Sequence, residues 1–160
     1  MLRSIKKEKA SSAGGNFAIV ASRYNARYVD GMLRAAVAEL KRAGAAEIKV
    51  VRVPGAFEIP AVAAALAERE SPRFSAIICF GVIFQGETSH AQHIGLGVTH
   101  ALAQIQVRRK IPVIHGVFVF DKPEQARARC LGRKYNRGAE AAHTALEMAR
   151  VMAALTGAGL

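Results

Sequence analysis

A few short segments of the 160-residue chain carry side chains suited to chemistry on a small polar molecule. Gly86-Glu87-Thr88-Ser89-His90 joins an apolar run to a helical pattern. Such a turn leaves backbone N–H groups unpaired at the positive end of a helix dipole, so it can hold an anion without a lysine. The hydroxyls of Thr88 and Ser89 add donors, although a plain helix cap selects the same residue types. His90 has an unperturbed pKa suited to proton transfer near neutrality, and equally reads as a surface histidine on a helix. Glu58 can accept hydrogen bonds from polyol hydroxyls, or merely complement a helix start. Tyr24 offers a flat face to a heterocycle, or a half-buried aromatic. Arg129 offers two parallel donors to a phosphate.

Other chemistries find no support. The chain holds no GxxxxGK[ST], no GxGxxG after its first apolar run and no GxSxG elbow. His90 and His93 can share a helix face, but no third ligand stands at a recognisable spacing, so no metal is expected. Cys79 and Cys130 lie far apart and beside no histidine, which argues against a disulfide scaffold, a zinc site or a cysteine nucleophile. No run approaches ~18 apolar residues, and the first ten residues lack the apolar core of a secretory signal. A soluble, cytoplasmic protein with no membrane partner is the expectation.

The formal net charge is +11, unevenly spread. Residues 108–137 hold nine basic and two acidic side chains, a block that suits a solvated face, an anionic small ligand or a nucleic acid. Aromatics make up 6% of the chain and tryptophan is missing, too few stacking platforms for a single-strand binder, so no nucleic-acid partner is expected. Residues 1–15 read as a flexible basic tail ending at Gly14-Gly15, and residues 16–160 as a single domain whose apolar content suffices for a core.

The elements that must position these residues follow from periodicity. Phe17–Ala21 reads as a buried strand. Asn25 can cap the helix after it, with Val29, Met32, Leu33, Ala36, Val37 and Leu40 on one face and Gly44 closing it. Ile48–Val53 makes a second strand, and a helix from about Phe57 to Glu70 tolerates Pro60 in its first turn. Ala76–Ile83 is the most apolar strand, followed by a helix with Ile94, Val98, Leu102 and Ile105 on one face. Pro112–Val119 is a fourth strand, before helices over 123–130 and 138–155. Continuous apolar strands alternating with helices predict a parallel sheet buried on both faces, with right-handed crossovers. That is an α/β, flavodoxin-like three-layer sandwich with four parallel strands. Its ligand belongs beyond the carboxyl ends of the strands, where the candidate residues lie.

Taken in order, Val53-Pro54-Gly55-Ala56-Phe57-Glu58-Ile59-Pro60, Gly86-Glu87-Thr88-Ser89-His90, Pro112-Val113-Ile114-His115-Gly116-Val117, Glu124-Gln125-Ala126 and Asn136-Arg137-Gly138-Ala139-Glu140-Ala141-Ala142 resemble the 6,7-dimethyl-8-ribityllumazine synthase family of riboflavin biosynthesis. The resemblance runs from about Phe17 to Leu155. It implies a transferase that condenses 5-amino-6-(D-ribitylamino)uracil with 3,4-dihydroxy-2-butanone 4-phosphate, releasing phosphate and water, without a cofactor. By this likeness Tyr24 stacks on the pyrimidine, Ala56, Phe57 and Glu58 hold the ribityl chain, and Val82, Ile83 and Phe84 line the ring pocket. Glu87 and Thr88 take the phosphate together with Arg129, Arg137 is an accessory cation, and His90 moves the proton. The positions of His115 and Arg129 come from a neighbouring subunit in the family. The resemblance further implies a homopentamer, twelve of which can close an icosahedral 60-subunit shell, and riboflavin synthase as a partner.

The chain departs from the common pattern in places. Tyr24 stands where Phe or Trp is frequent, His115 where Phe is usual, Ala91 where an aromatic follows the proton-transfer histidine, and Arg137 where Lys is usual. The changes at 91 and 115 keep open an alternative, a non-catalytic homologue that binds a flavin or ribityl-pyrimidine or forms a shell.

Overall fold

The computed structural model describes residues 14–157, so the expected basic tail lies outside the described residues apart from Gly14 and Gly15. Strands β1 (Asn16–Ser22), β2 (Glu47–Val53), β3 (Ala76–Phe84) and β4 (Val113–Phe120) alternate with helices α1 (Ala26–Arg42), α2 (Ile59–Ala67) and α3 (His90–Arg109). Helices α4 (Pro123–Cys130) and α5 (Arg137–Thr156) follow β4. The strands are all parallel, in the order β2-β1-β3-β4, which is the flavodoxin-like sandwich that the alternating pattern predicts.

Two apolar layers hold the sheet. On one face Phe17, Ile19, Ile78 and Phe80 pack on Val29, Met32 and Leu40 of α1 and on Ala142 and Ala145 of α5. On the other, Ala18, Val20, Ile77 and Cys79 pack on Ile59 and Ala63 of α2 and Val98 and Leu102 of α3. Burial on both faces holds for the central strands β1 and β3. The outer strands depart from that expectation, because Lys49 and Val50 of β2 and His115 and Val119 of β4 are exposed. Each outer strand has only one neighbouring strand and incomplete helical cover.

The helix expected from Phe57 to Glu70 is shorter and begins differently. Ala56–Glu58 forms a 3₁₀ turn, and α2 proper ends at Ala67. Pro60 has no N–H to return to Ala56, whose carbonyl accepts instead from Ile59 N, and the turn tightens.

The Asn136-Arg137-Gly138 motif is architectural. Asn136 caps α5, its Oδ1 accepting from Gly138 N at 2.8 Å while its Nδ2 donates to the Cys130 carbonyl at 2.9 Å. Helices α1 and α5 approach so closely that a Cβ on Gly138 would collide with the Met32 carbonyl. At Gly31 a Cβ would lie 2.5 Å from the Cys130 carbonyl, so α1, α4 and α5 meet backbone to backbone.

Candidate active site

The strand order reverses between β1 and β3, because β2 lies on the far side of β1 and β4 on the far side of β3. A crevice opens at such a point beyond the carboxyl ends of the strands. The strands there are of unequal length. Phe17–Ala21 of β1 pair with Ala76–Phe80, whereas Gly81–Phe84 run on with only β4 beside them.

Tyr24 and Glu58 meet over Gly55. The Glu58 carboxylate accepts from Gly55 N at 2.8 Å, closing the turn between β2 and α2. A Cβ on Gly55 would lie 2.8 Å from Glu58 Oε2 and 3.0 Å from Tyr24 Cδ2, so glycine lets both side chains come this close to the backbone. Tyr24 N donates to the Pro54 carbonyl at 3.0 Å, and Arg23 N to the Val53 carbonyl at 2.8 Å. Below them Arg52 bonds Asp30 of α1 at 2.5 Å and the Ser22 carbonyl at 2.9 Å, fastening the end of β1 to β2 and α1. The ring of Tyr24 is nevertheless 67% exposed, leaving an aromatic face and a carboxylate side by side. Ala56 is buried, and Phe57, 64% exposed, extends toward Gly97 of α3.

The overhang of β3 forms the opposite wall through its backbone. Ile77 N and Gln85 N donate to β4-side carbonyls of Pro112 and Phe120, so alternation turns the peptide groups of Val82 and Phe84 toward the crevice. The Val82 side chain is buried in the α1–α5 layer, and Phe84 meets Tyr28 edge-on with ring centroids 5.5 Å apart. Ile83, half-buried, points to the α2–α3 side.

The Asn25 cap departs from expectation. The residue occupies the cap position at φ 56°, but its side chain makes no capping bond. Its Nδ2 donates instead across the crevice to the Val82 carbonyl at 2.7 Å. Sequence pattern had no means to show this, because the partner lies 57 residues away.

Beyond Phe84 the chain turns into the 20-residue α3. Gln85 staples this turn, its Nε2 donating to the carbonyls of Gly86 at 2.9 Å and Thr88 at 2.7 Å. Ser89 holds the cap position without capping, because its hydroxyl is 3.1 Å from His93 Nε2. Thr88 Oγ1 lies 3.4 Å from His90 N. Glu87, Thr88 and the His90 ring are exposed, and the ring has no hydrogen-bond partner among the described residues. An anion can dock on this helix start beside an imidazole able to exchange protons.

The remaining candidates stand elsewhere. His115 lies in mid-β4 and bonds Thr99 Oγ1 of α3 at 2.8 Å. Contact with α3 desolvates its ring and lowers its pKa below the usual 6.5, partly offset by a bond to its own backbone. Arg137 is ion-paired with Glu140, and both line a hollow of about 390 Å³ that also reaches His115 and Phe118. Arg129 is exposed on α4, with no ion-pair partner among the described residues. Tyr24, Glu58, the β3 overhang and the Thr88–His90 turn all lie at or beyond the carboxyl ends of the strands, the end where such sheets bind ligands. His115 and Arg137 line a hollow along the outer edge of β4 instead, and Arg129 stands on α4.

Both thiols are buried, and burial raises Cys130 to about 11 and Cys79 further, so neither can act as a nucleophile at neutral pH. Among the described residues no group of three His, Cys, Asp or Glu side chains is placed to hold a metal ion, and no helix is long and apolar enough to cross a membrane.

Comparison with known proteins identifies the family. The chain is 39% identical over 148 residues to the 6,7-dimethyl-8-ribityllumazine synthase of Desulfosudis oleivorans, covering 91% of this chain and 93% of that protein. The family pattern described as 6,7-dimethyl-8-ribityllumazine synthase matches residues 14–153, all but the ends of the chain. By this match, and with the parallel four-stranded sheet, the chain belongs to the 6,7-dimethyl-8-ribityllumazine synthase family.

Proposed function

We propose that this chain condenses 5-amino-6-(D-ribitylamino)uracil with 3,4-dihydroxy-2-butanone 4-phosphate to form 6,7-dimethyl-8-ribityllumazine, releasing phosphate and water, a step of riboflavin biosynthesis. The observation that best supports it is the meeting of the Tyr24 ring and the Glu58 carboxylate over Gly55, at the same end of the parallel sheet as the anion-receptive turn that opens α3. A flat heterocycle, its polyol tail and a phosphoester need these three surfaces together.

In this reading Tyr24 stacks on the pyrimidine and Glu58 accepts from the ribityl hydroxyls along the Ala56–Glu58 turn. Ile83 and the peptide edges of Val82 and Phe84 bound the ring. Phosphate docks on the Glu87–Thr88 turn, and His90 carries protons to and from the reacting groups. The imine forms on the substrate's own amine, so the protein supplies no nucleophile. Holding two reactants in register can lower the barrier by as much as ~7–11 kcal/mol. Donors that grip the leaving phosphate stabilise the charge it takes away.

Arg129 and His115 complete the site from a neighbouring copy, and Arg137 stands beside His115 as a second cation on that edge. A cytoplasmic homopentamer is the assembly this division suits, with a 60-subunit shell and contact with riboflavin synthase as its extension. Purified protein mixed with both substrates is expected to form the fluorescent product faster than the spontaneous reaction. Tight binding of the pyrimidine with no acceleration would reject the enzymatic reading in favour of a binding protein.

A further inference from the structure

We infer that Asn25 is a positioning residue that sets the width of the pyrimidine slot, by tying the Tyr24 turn on one side of the crevice to the β3 overhang on the other. The inference rests on the substrate reading above and deepens it.

Three observations carry it. First, Asn25 spans the point where the strand order reverses, its Nδ2 donating to the Val82 carbonyl at 2.7 Å. That carbonyl lies beyond the last β1–β3 pair, Ala21 with Phe80, so the sheet ladder no longer fixes the distance between the two walls. Asn25 replaces the missing ladder bond with a side-chain bond. Second, the residue adopts φ 56° and ψ 38°, a left-handed conformation that asparagine tolerates better than most residues. This conformation comes with a side chain directed across the crevice rather than to the N–H groups of α1, and the helix forgoes its side-chain cap. Third, Asn25 directly follows Tyr24, whose backbone is already bonded to Pro54 and whose ring rests on Gly55. The stacking ring thus has one fixed wall beneath it, and Asn25 determines where the other wall stands.

A carbonyl oxygen can only accept, so the side-chain nitrogen must be the atom that faces Val82. This makes aspartate an informative substitution. Asn25→Asp keeps the shape, the left-handed preference and the outer oxygen, but sets a second acceptor against the carbonyl. Asn25→Gly keeps the backbone conformation and removes the tie altogether.

The test is calorimetric titration of wild type and both variants with the ribitylaminouracil alone and, separately, with inorganic phosphate. Both variants are expected to bind the pyrimidine about tenfold more weakly, the equivalent of one lost hydrogen bond. Phosphate affinity should stay at the wild-type value and thermal midpoints within about 4 °C of it. Wild-type pyrimidine affinity in Asn25→Gly would overturn the inference, leaving the residue as a turn former. So would wild-type affinity in Asn25→Asp alone, which would make the outer oxygen the group that matters. Parallel loss of both ligands with a collapsed midpoint would assign Asn25 to general stability instead. In each of these outcomes wild-type turnover persists, whereas a wild type that neither binds the pyrimidine nor accelerates the reaction would fail the function and this inference together.

Discussion

The Thr99 hydroxyl lies 2.8 Å from Nε2 of His115 and 2.7 Å from the Gly95 carbonyl, to which it donates its only proton. Oγ1 must therefore accept from His115, which fixes the histidine as the Nε2–H tautomer. The imidazole of this edge-strand residue is thereby tied to α3.

This pairing has a pH signature. Desolvation by burial disfavours the imidazolium more than the bond to its own backbone favours it, so the folded pKa lies below 6.5. Between the folded value and 6.5 the unfolded chain binds more protons, so stability rises with pH through that window. The contribution of this group is in place above 6.5 and is lost as acid carries the pH down through the folded pKa. Titration of the His115 ring by NMR is expected to give a midpoint below 6.5, and denaturation of His115→Phe should show a shallower loss of stability on the acid side. A ring that titrates above 6.5 would contradict the account of desolvation by burial.

Glu58 holds both the turn and, in the proposed reaction, the ribityl chain, and two substitutions separate these roles. Glu58→Gln keeps an oxygen for Gly55 N and should lose less than about 1 kcal/mol of stability while raising KM for the pyrimidine substrate. Glu58→Ala frees Gly55 N and should lose about 1–2 kcal/mol as well as affinity. Equal KM values in wild type and Glu58→Gln would remove the carboxylate charge from substrate recognition.

Gly138→Ala tests the architecture apart from the chemistry. Its methyl group would meet the Met32 carbonyl, a backbone atom in mid-helix that cannot swing aside. The expected cost is about 3 kcal/mol, read as a lower urea midpoint with the slope unchanged. Ala139→Gly, beside it but outside the contact, should cost about 1 kcal/mol from helix propensity alone.

The sheet was legible because β1 and β3 are uniformly apolar and each helix carries one apolar stripe, both local signals. The turns that carry the candidate residues were legible as turns because they follow apolar strands directly. The edge character of β2 and β4 was less so, since Ile48–Val53 is apolar enough to pass for a buried strand until the strand order places it outermost. The side chains that bridge elements escaped entirely. Asn25 to Val82, Arg52 to Asp30 and Ser22, and Thr99 to His115 each join residues 16 or more apart, and only folding sets their distances. Asn25 shows the limit best, since its type and place fit a helix cap and its actual bond lies across the crevice.

Division of the site between copies can be tested by complementation. Tyr24, Glu58 and His90 each follow the carboxyl end of a strand, while Arg129 stands on α4 with no ion-pair partner among the described residues. Arg129→Ala should raise KM for the phosphate substrate far more than for the pyrimidine. Glu58→Ala should do the reverse, and each alone should be poor at low concentrations of both substrates. If Arg129 serves the crevice of the adjacent copy, unfolding an equal mixture of the two variants and refolding them together restores sites that combine an intact Glu58 from one chain with an intact Arg129 from its neighbour. In a cyclic assembly with random mixing, about a quarter of the sites regain both groups, and activity at low substrate should recover to about that fraction of wild type. If Arg129 serves its own chain's crevice, every site in the mixture stays defective and no recovery appears, because no chain carries both groups.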